Sequence, residues 1–169
     1  AINRADNPVL LLDGEELAGA KQNRVLNTTI LLKERSETVI TVSCTEHGRW
    51  SYRSREFADS GVIMAQTIRR KKARSVHENL RNMKAYLSDQ GEVWDDIASL
   101  SREARVRSST DAMRDVFASH EETLGQYLAA FPSLPGQKGI LVLIDGKPAG
   151  FDILSRESAF TVLGPKLVK

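Results

Sequence analysis

The spacing of the apolar residues changes twice along the chain, from a period of about two to about 3.6 and back, and that order limits the folds open to it. Val9–Leu12 is a short apolar run closed by Asp13-Gly14, the pattern of a buried strand running into a turn. Between Arg24 and Leu32, Leu26, Ile30 and Leu32 fall on one face and Val25, Thr29 and Leu31 on the other, as in an inner strand covered on both sides. Lys33–Glu37 reads as a polar turn. Thr38–Cys44 alternates, with Ile40, Val42 and Cys44 on its apolar face, and Trp50-Ser51-Tyr52 continues the β character. Short strands in this succession predict an antiparallel meander.

The middle of the chain is helical text. Val76, Leu80, Met83 and Leu87 form one stripe, and Trp94, Ile97 and Leu100 a second. The second helix has Asp89, Glu92, Asp95 and Asp96 near its start and Arg102, Arg105 and Arg107 near its end, a polarity that complements the macrodipole. Ser109 is the expected N-cap of a third helix, whose apolar face is Met113, Val116, Phe117, Leu124, Leu128 and Phe131. Gly139–Ile144 then returns to an apolar strand, Asp145-Gly146 is a strong hairpin signal, and Lys147–Leu154 is the returning strand, with Pro148 marking it as an edge.

This order predicts an α+β fold: an antiparallel β-sheet or sandwich packed with about three α-helices and closed by a C-terminal β-hairpin. Residues 1–169 read as one domain, or as the ordered core of a longer chain. Leu26, Ile30, Ile40, Val42, Leu80, Ile97, Phe117, Leu128, Leu141 and Leu143 are the expected core. No apolar run approaches the roughly 18 residues of a membrane span, so no membrane partner is expected. A single cysteine forms no internal disulfide and suits a reducing, cytoplasmic setting. A net charge of +2 is too small to imply nucleic acid by itself.

The most informative polar stretch is Asp13–Arg24, read as a loop between two strands. Lys21 and Arg24 suit an anion such as a phosphate, and Arg binds one bidentately. Gln22 and Asn23 carry paired donors and acceptors for a base or ribose, and Asn27 lies on the same extended face as Asn23. Glu15 or Glu16 is the candidate general base if a water stands between it and the ligand. The glycine spacing matches neither a P-loop nor a dinucleotide fingerprint. The alternative reading is a solvated connection whose charges pair locally.

Further on, Glu46 and Arg49 are expected to line a pocket, with Trp50 as its stacking wall. Cys44 and His47 lie three apart, but Cys44 continues an apolar face and reads as a small core residue rather than a nucleophile. His47, His77 and His120 are isolated, so no metal site is expected, and no cofactor can be named. Arg69–Arg74 is the densest basic run, at the start of a helix. It suits either phosphate contact or a solvated face that meets the acidic second helix. No aromatics interleave with it, which leaves nucleic acid the least favoured partner.

Several of these stretches together resemble a known family. Gly14-Glu15-Glu16-Leu17 with Gly19–Arg24, then Ser43-Cys44 with Gly48-Arg49-Trp50, are similar to motifs of a domain family named for its association with ADP-ribosylglycohydrolases and rhodanese-phosphatases. Ser88–Trp94, Ser109–Met113 and Gly146–Gly150 resemble its later motifs. His47 stands where that pattern commonly has Gln. The resemblance implies a context of ADP-ribose or nucleotide metabolism and assigns no reaction. The expectation is therefore a small-molecule-binding domain for an anionic, nucleotide-like or ADP-ribose-like ligand, with hydrolysis as an added option. A non-catalytic structural or interaction module is the alternative, and nucleic-acid binding through the basic helix the third. Oligomeric state is left open.

Overall fold

A computed structural model of the chain describes all 169 residues, which divide into two compact units, Ala1–Val116 and Phe117–Lys169. Both units mix helix with antiparallel strands, so the fold is α+β, with a C-terminal β-hairpin.

The first unit contains β1 (Ile2–Asn3), β2 (Val9–Leu11), β3 (Glu15–Gly19), β4 (Arg24–Leu26), β5 (Ile30–Leu32), β6 (Ser36–Glu37), β7 (Val42–Cys44) and β8 (Phe57–Ile63). Its helices are α1 (Gln66–Met83) and α2 (Gln90–Glu103), and α3 (Met113–Ser119) begins in it. The main sheet has the order β7-β4-β3-β8, and β1 pairs with β6 and β2 with β5. Every pairing is antiparallel.

Several strands depart from the sequence reading. Arg24–Leu32 is not one strand. Asn27 leaves the ladder and its side-chain amide donates to the Tyr86 carbonyl at 2.9 Å, so only β4 is an inner strand. The next strand, β5, pairs with β2 alone, which leaves Leu31 exposed. Thr38–Thr41 is not in a strand, and in β7 the buried side is the polar one. Ser43 and Thr45 are buried, while Val42 and Cys44 are half-buried. Trp50–Tyr52 is not a strand, and both aromatics are exposed. The strand that completes the sheet is β8, hidden in the sequence by Asp59-Ser60-Gly61. Its register shifts between Glu15 and Leu17, a bulge where Gly61 takes φ +77°.

The helices form for readable reasons. Asp89 caps α2, its carboxylate accepting from the Glu92 N–H at 3.0 Å. Ser109 does not cap a third helix. The neighbouring Ser108 hydroxyl accepts from the Ala112 N–H at 2.9 Å and donates to Asp115, and the helical stretch breaks at His120 into α3 and α4 (Glu121–Ala130). The first-unit core gathers Val25, Leu26, Met64, Ile97 and Met113, all essentially inaccessible. Of the expected core, Leu26 and Ile97 are buried, whereas Ile30, Ile40, Val42, Leu80, Phe117 and Leu128 are half-buried.

The second unit holds α4, β9 (Gly139–Ile144), β10 (Lys147–Ile153) and α5 (Glu157–Val168). Asp145 and Gly146 turn the hairpin with φ +50° and +72°, the left-handed pair that Asp-Gly favours. The register shifts between Pro148 and Gly150, as an edge-strand proline predicts. Leu141 and Leu143 are not core, being 57% and 55% exposed, because a two-stranded ribbon has no second layer over these positions. Helix α5 was not anticipated and buries Phe160 and Leu163. The chain thus has five helices rather than about three.

Leu26→Ala and Ile97→Ala should each destabilise the protein by about 2–5 kcal/mol, since both are enclosed. Val39→Ala, at an almost fully exposed position, should change stability by less than about 0.5 kcal/mol. Urea unfolding of the three variants measures the contrast.

Candidate functional site

The polar stretch 13–24 is a β-hairpin rather than a loop: β3, a turn at Ala20-Lys21, and β4. Cross-strand partners share a face, so Glu16, Val25 and Ser43 line one side of the sheet and Leu17, Arg24 and Cys44 the other. The first side is buried and unusually polar. Glu16, Asn23, Asn27, Ser43 and Thr45 are all within a few per cent of full enclosure.

Glu46 and Arg49 organise this polar region. Arg49 grips Glu46 with two nitrogens, Nε to Oε1 at 2.9 Å and Nη2 to Oε2 at 2.7 Å. Glu46 also accepts from the Asn23 N–H at 3.1 Å and from the Thr110 hydroxyl at 2.8 Å. The remaining Arg49 contacts reach the Ala20 carbonyl at 2.7 Å, the Ser51 carbonyl at 2.9 Å and, more loosely, Asn23 Oδ1 and the Gly19 carbonyl. Burial alone pushes the Glu46 carboxyl up. The hydrogen bonds from Arg49, Thr110 and the Asn23 N–H, with the Arg49 charge, outweigh it and hold the group below its usual value. One ion pair thereby ties the β3–β4 turn, the end of β7 and the approach to α3 together. The same junction is closed by the backbone, where His47 and Gly48 N–H groups donate to the Thr110 carbonyl and Met113 N–H to the Thr45 carbonyl.

Glu16 is the contrasting carboxyl. Its Oε1 accepts from the Thr45 hydroxyl at 2.7 Å, while Oε2 and the Ser60 hydroxyl have no hydrogen-bond partner. Burial pushes its pKa up, opposed by the Thr45 hydroxyl and the charge of Arg114. The other candidate base, Glu15, is also buried and takes the Leu12 N–H at 2.6 Å.

The two candidate anion-holding cations do not meet these carboxylates. Lys21 is exposed, with its ammonium 5.2 Å from the centroid of the Tyr52 ring. Arg24 is half-buried on the opposite side of the sheet from Glu16. Its Nη1 donates to Gln22 Oε1 at 3.1 Å and to the Asn23 carbonyl at 3.3 Å. Gln22 donates in turn to the His47 carbonyl at 3.3 Å. Asn27 accepts from Ser43 at 2.6 Å, and Ser43 continues to Ser88. Trp50 is 69% exposed.

What the sequence reading missed is the rim around Lys21. Arg49 and the Ala20 carbonyl, which also accepts from the Arg53 N–H, pin the segment 49–54 against the β3–β4 turn. Outside that pin, Lys21, Trp50, Tyr52, Arg53 and Arg55 are exposed, and neither Arg53 nor Arg55 is drawn into an ion pair. The signal was present as Trp-Ser-Tyr-Arg-Ser-Arg, an aromatic and basic alternation of which only Trp50–Tyr52 drew a reading, as strand.

Cys44 is half-buried rather than core. Its backbone N–H and carbonyl are both taken by the Gln90 amide, at 2.7 and 3.0 Å, and burial raises its thiol pKa against the nearby Arg24 charge. His47 lies against Trp94, ring centroids 4.2 Å apart, and forms no dyad with Cys44. No group of three potential metal ligands occurs.

The basic run of α1 is divided by the helix. Lys72 is 1% exposed and donates to Asp13 at 2.6 Å and to the Leu26 carbonyl at 2.9 Å, with burial lowering its pKa against the Asp13 charge. Arg69 is buried, and its stem lies over Gly14 so closely that a Cβ there would come within 2.5 Å of Arg69 Cδ. On the outer side, Lys71 pairs with Asp96 of α2 at 2.6 Å and Arg74 with Glu78 at 3.1 Å. Part of the run therefore does meet the acidic second helix.

The sequence model of the ARG and Rhodanese-Phosphatase-superfamily-associated Protein domain, ARPP-1, matches residues 1–169. The chain belongs to that family, whose domain is associated with ADP-ribosylglycohydrolase and rhodanese-phosphatase systems. No curated protein and no solved structure matches it. No helix is long and apolar enough to cross a membrane.

Two outcomes follow from this geometry. Arg49→Ala, which leaves Glu46 buried and unpaired, should cost about 3–5 kcal/mol in urea unfolding. The carboxyls give opposite pH trends. Glu46, held low, contributes stability present above its unfolded value of 4.5 and lost as pH falls through its lower folded value. Glu16, held high, contributes stability present below 4.5 and lost as pH rises through its higher folded value. Glu16→Gln should therefore gain stability relative to the parent as pH rises above 4.5, with no gain below it. An unfolding series across pH checks both signs.

Proposed function

We propose that this ARPP-1 domain binds an anionic, nucleotide-like or ADP-ribose-like small molecule on the rim formed by the β3–β4 turn and the segment 49–55. The observation that carries this reading is the cluster of Lys21, Arg53 and Arg55 with Trp50 and Tyr52, exposed beside a rigid buried network. Cations attract phosphate oxygens, and an aromatic face stacks on a base; the two together suit a nucleotide better than a simple anion. The family's association with ADP-ribosylglycohydrolase systems makes ADP-ribose the first ligand to test.

In this reading Arg49, Glu46, Asn23 and Gln22 position the rim rather than touch the ligand, and Asn27, bonded to Tyr86 and Ser43, lies apart from it. Fixing the rim in advance lowers the entropy lost on binding. Arg24 serves the same role through Gln22 and the Asn23 carbonyl. Binding without hydrolysis is the favoured form, because Glu16 is fully enclosed and Glu15 already accepts a backbone N–H. The second reading, a non-catalytic structural module, is favoured by one observation: the Glu46–Arg49 network closes on its own groups.

Thermal shift with ADP-ribose, nucleotides and sugar phosphates separates the two. The binding reading expects stabilisation by ADP-ribose or a nucleotide, lost in Trp50→Ala and in Lys21→Ala while the unliganded melting point stays within a degree or two. No shift with any of these ligands leaves the structural module.

A further inference from the structure

The other face of the main sheet gathers a second set of polar side chains. Arg24 of β4 and Cys44 of β7 are cross-strand partners on it. The Cys44 backbone groups turn away from β4 to the Gln90 amide, so the two residues form the close, unbonded kind of pair. From them a circuit of contacts runs round and back. Gln90 opens α2, and Trp94 stands one turn further along the same helix. The His47 ring lies against Trp94, centroids 4.2 Å apart. Gln22 donates to the His47 carbonyl and accepts from Arg24, which closes the circuit. Arg24, Cys44 and Trp94 are half-buried and His47 is exposed, so the patch is reached from solvent.

Arg24 has donors to spare. Holding the turn takes only Nη1, whose two hydrogens go to Gln22 Oε1 and the Asn23 carbonyl. Nε and Nη2 donate to no protein group. They form one edge of the planar guanidinium, the edge that meets two oxygens of an anion side by side. Arg49 shows in the same molecule what that edge takes, since its Nε and Nη2 hold the two oxygens of Glu46. The carboxylates on the neighbouring elements are engaged elsewhere. Asp59, which shares this face across β3, accepts the Gly61 N–H, Asp89 accepts the Glu92 N–H, and Glu92 lies within electrostatic reach of Lys71. Two further donors on the circuit are open. The His47 ring nitrogens make no hydrogen bond, and the buried indole N–H of Trp94 has no acceptor. Arg and Trp side chains can only donate, so whatever binds here has to bring acceptors.

We propose that the Nε/Nη2 edge of Arg24, with the His47 ring, holds a phosphoryl group. An edge of two donors fits a carboxylate as well as a phosphoryl group. The third donor decides between them. A phosphoryl group offers a third oxygen and carries close to two charges near neutral pH, whereas a carboxylate would leave His47 without a partner. The site needs neither Trp50 nor Lys21, so it stands or falls apart from ligand binding on the rim.

Alkylation of Cys44 by iodoacetamide tests the site, because the chain has one cysteine and it lies beside Arg24. A bound phosphoryl group covers the thiol and lowers its thiolate fraction, and both slow the reaction. At constant pH and ionic strength, about 10 mM inorganic phosphate or methyl phosphate should slow alkylation by roughly threefold or more, and acetate should not. Arg24→Lys keeps a cation and a donor for Gln22 but lacks the two-donor edge, so it should lose the protection. Lys21→Ala and Trp50→Ala should keep it. A parent rate indifferent to phosphate, protection that persists in Arg24→Lys, protection that disappears in Lys21→Ala, or equal protection by acetate would each overturn the proposal. The parent rate is read without any variant, so the test does not depend on Arg24→Lys folding.

Discussion

The first unit depends on the buried Glu46–Arg49 pair. Taking both charges out of water costs several kcal/mol per ion, and the attraction between them offsets this only when the remaining lone pairs and donors are also matched. Here they are. Glu46 accepts from Arg49 twice, from the Asn23 N–H and from Thr110, while Arg49 spends its other donors on the carbonyls of the β3–β4 turn and of Ser51. Three segments far apart in sequence meet at a pair three residues apart. A guanidinium is suited to that junction because its donors diverge in a fixed plane, which an ammonium in the same place would lack.

That junction explains how a segment without a strand ladder is held against the β3–β4 turn. The segment after Arg49 has no strand ladder of its own until Phe57, so its shape is set by what Arg49 and the Ala20 carbonyl hold. Gly19 belongs to the same arrangement. A Cβ there would fall 2.4 Å from the Glu56 carbonyl oxygen, so the close approach of the two segments requires glycine. Trp50, Tyr52, Arg53 and Arg55 are thereby presented outward from a fixed base. Of the residues that the sequence marked as ligand-contacting, Glu46, Arg49 and Asn23 are bonded to one another, whereas Lys21 and Trp50 are exposed.

Much of this was legible in the sequence where a local rule dominates. The Asp145-Gly146 hairpin, the acidic start of α2 and the helical stripe through Ile97 each rest on residues within one turn or one helix, and each is present. The failures lie where the outcome depends on distant partners. Alternation in Thr38–Cys44 cannot say which face meets the core, and Ser43 goes inward because Asn27 and Ser88 wait there with hydroxyl and amide groups. Leu141 and Leu143 read as core because their strand is apolar, but burial needs a second layer, and a ribbon does not bring one. Strand β8 was invisible because Asp59-Ser60-Gly61 reads as a turn, and in the sheet it is a bulge. Among the candidate site residues, the types were informative and their mutual placement was not. A one-residue change of phase separates Arg24 from Glu16 across the thickness of a sheet.

The polar buried face then has a consequence for folding specificity. A strand pair usually finds its register because slipping by one residue would expose its apolar side. That device is weak here, since Glu15–Gly19 and Arg24–Leu26 have little alternation to protect. The hydrogen bonds supply what the pattern lacks. Thr45 reaches Glu16, Ser43 reaches Asn27, and the Asn23 N–H reaches Glu46, each from a neighbouring segment and each possible only in one register. A slip of one residue would turn those groups to the other face and leave buried donors and acceptors unmatched, at about 1–3 kcal/mol for each. Glu16 shows the limit of the arrangement. One of its oxygens is matched and the other is not, so burial raises its pKa and it is the member of the network least favourable to carry as a charge. From the middle of β3 it gives the Thr45 hydroxyl a fixed carboxylate acceptor, at the point where the Thr45 carbonyl takes the first N–H of α3.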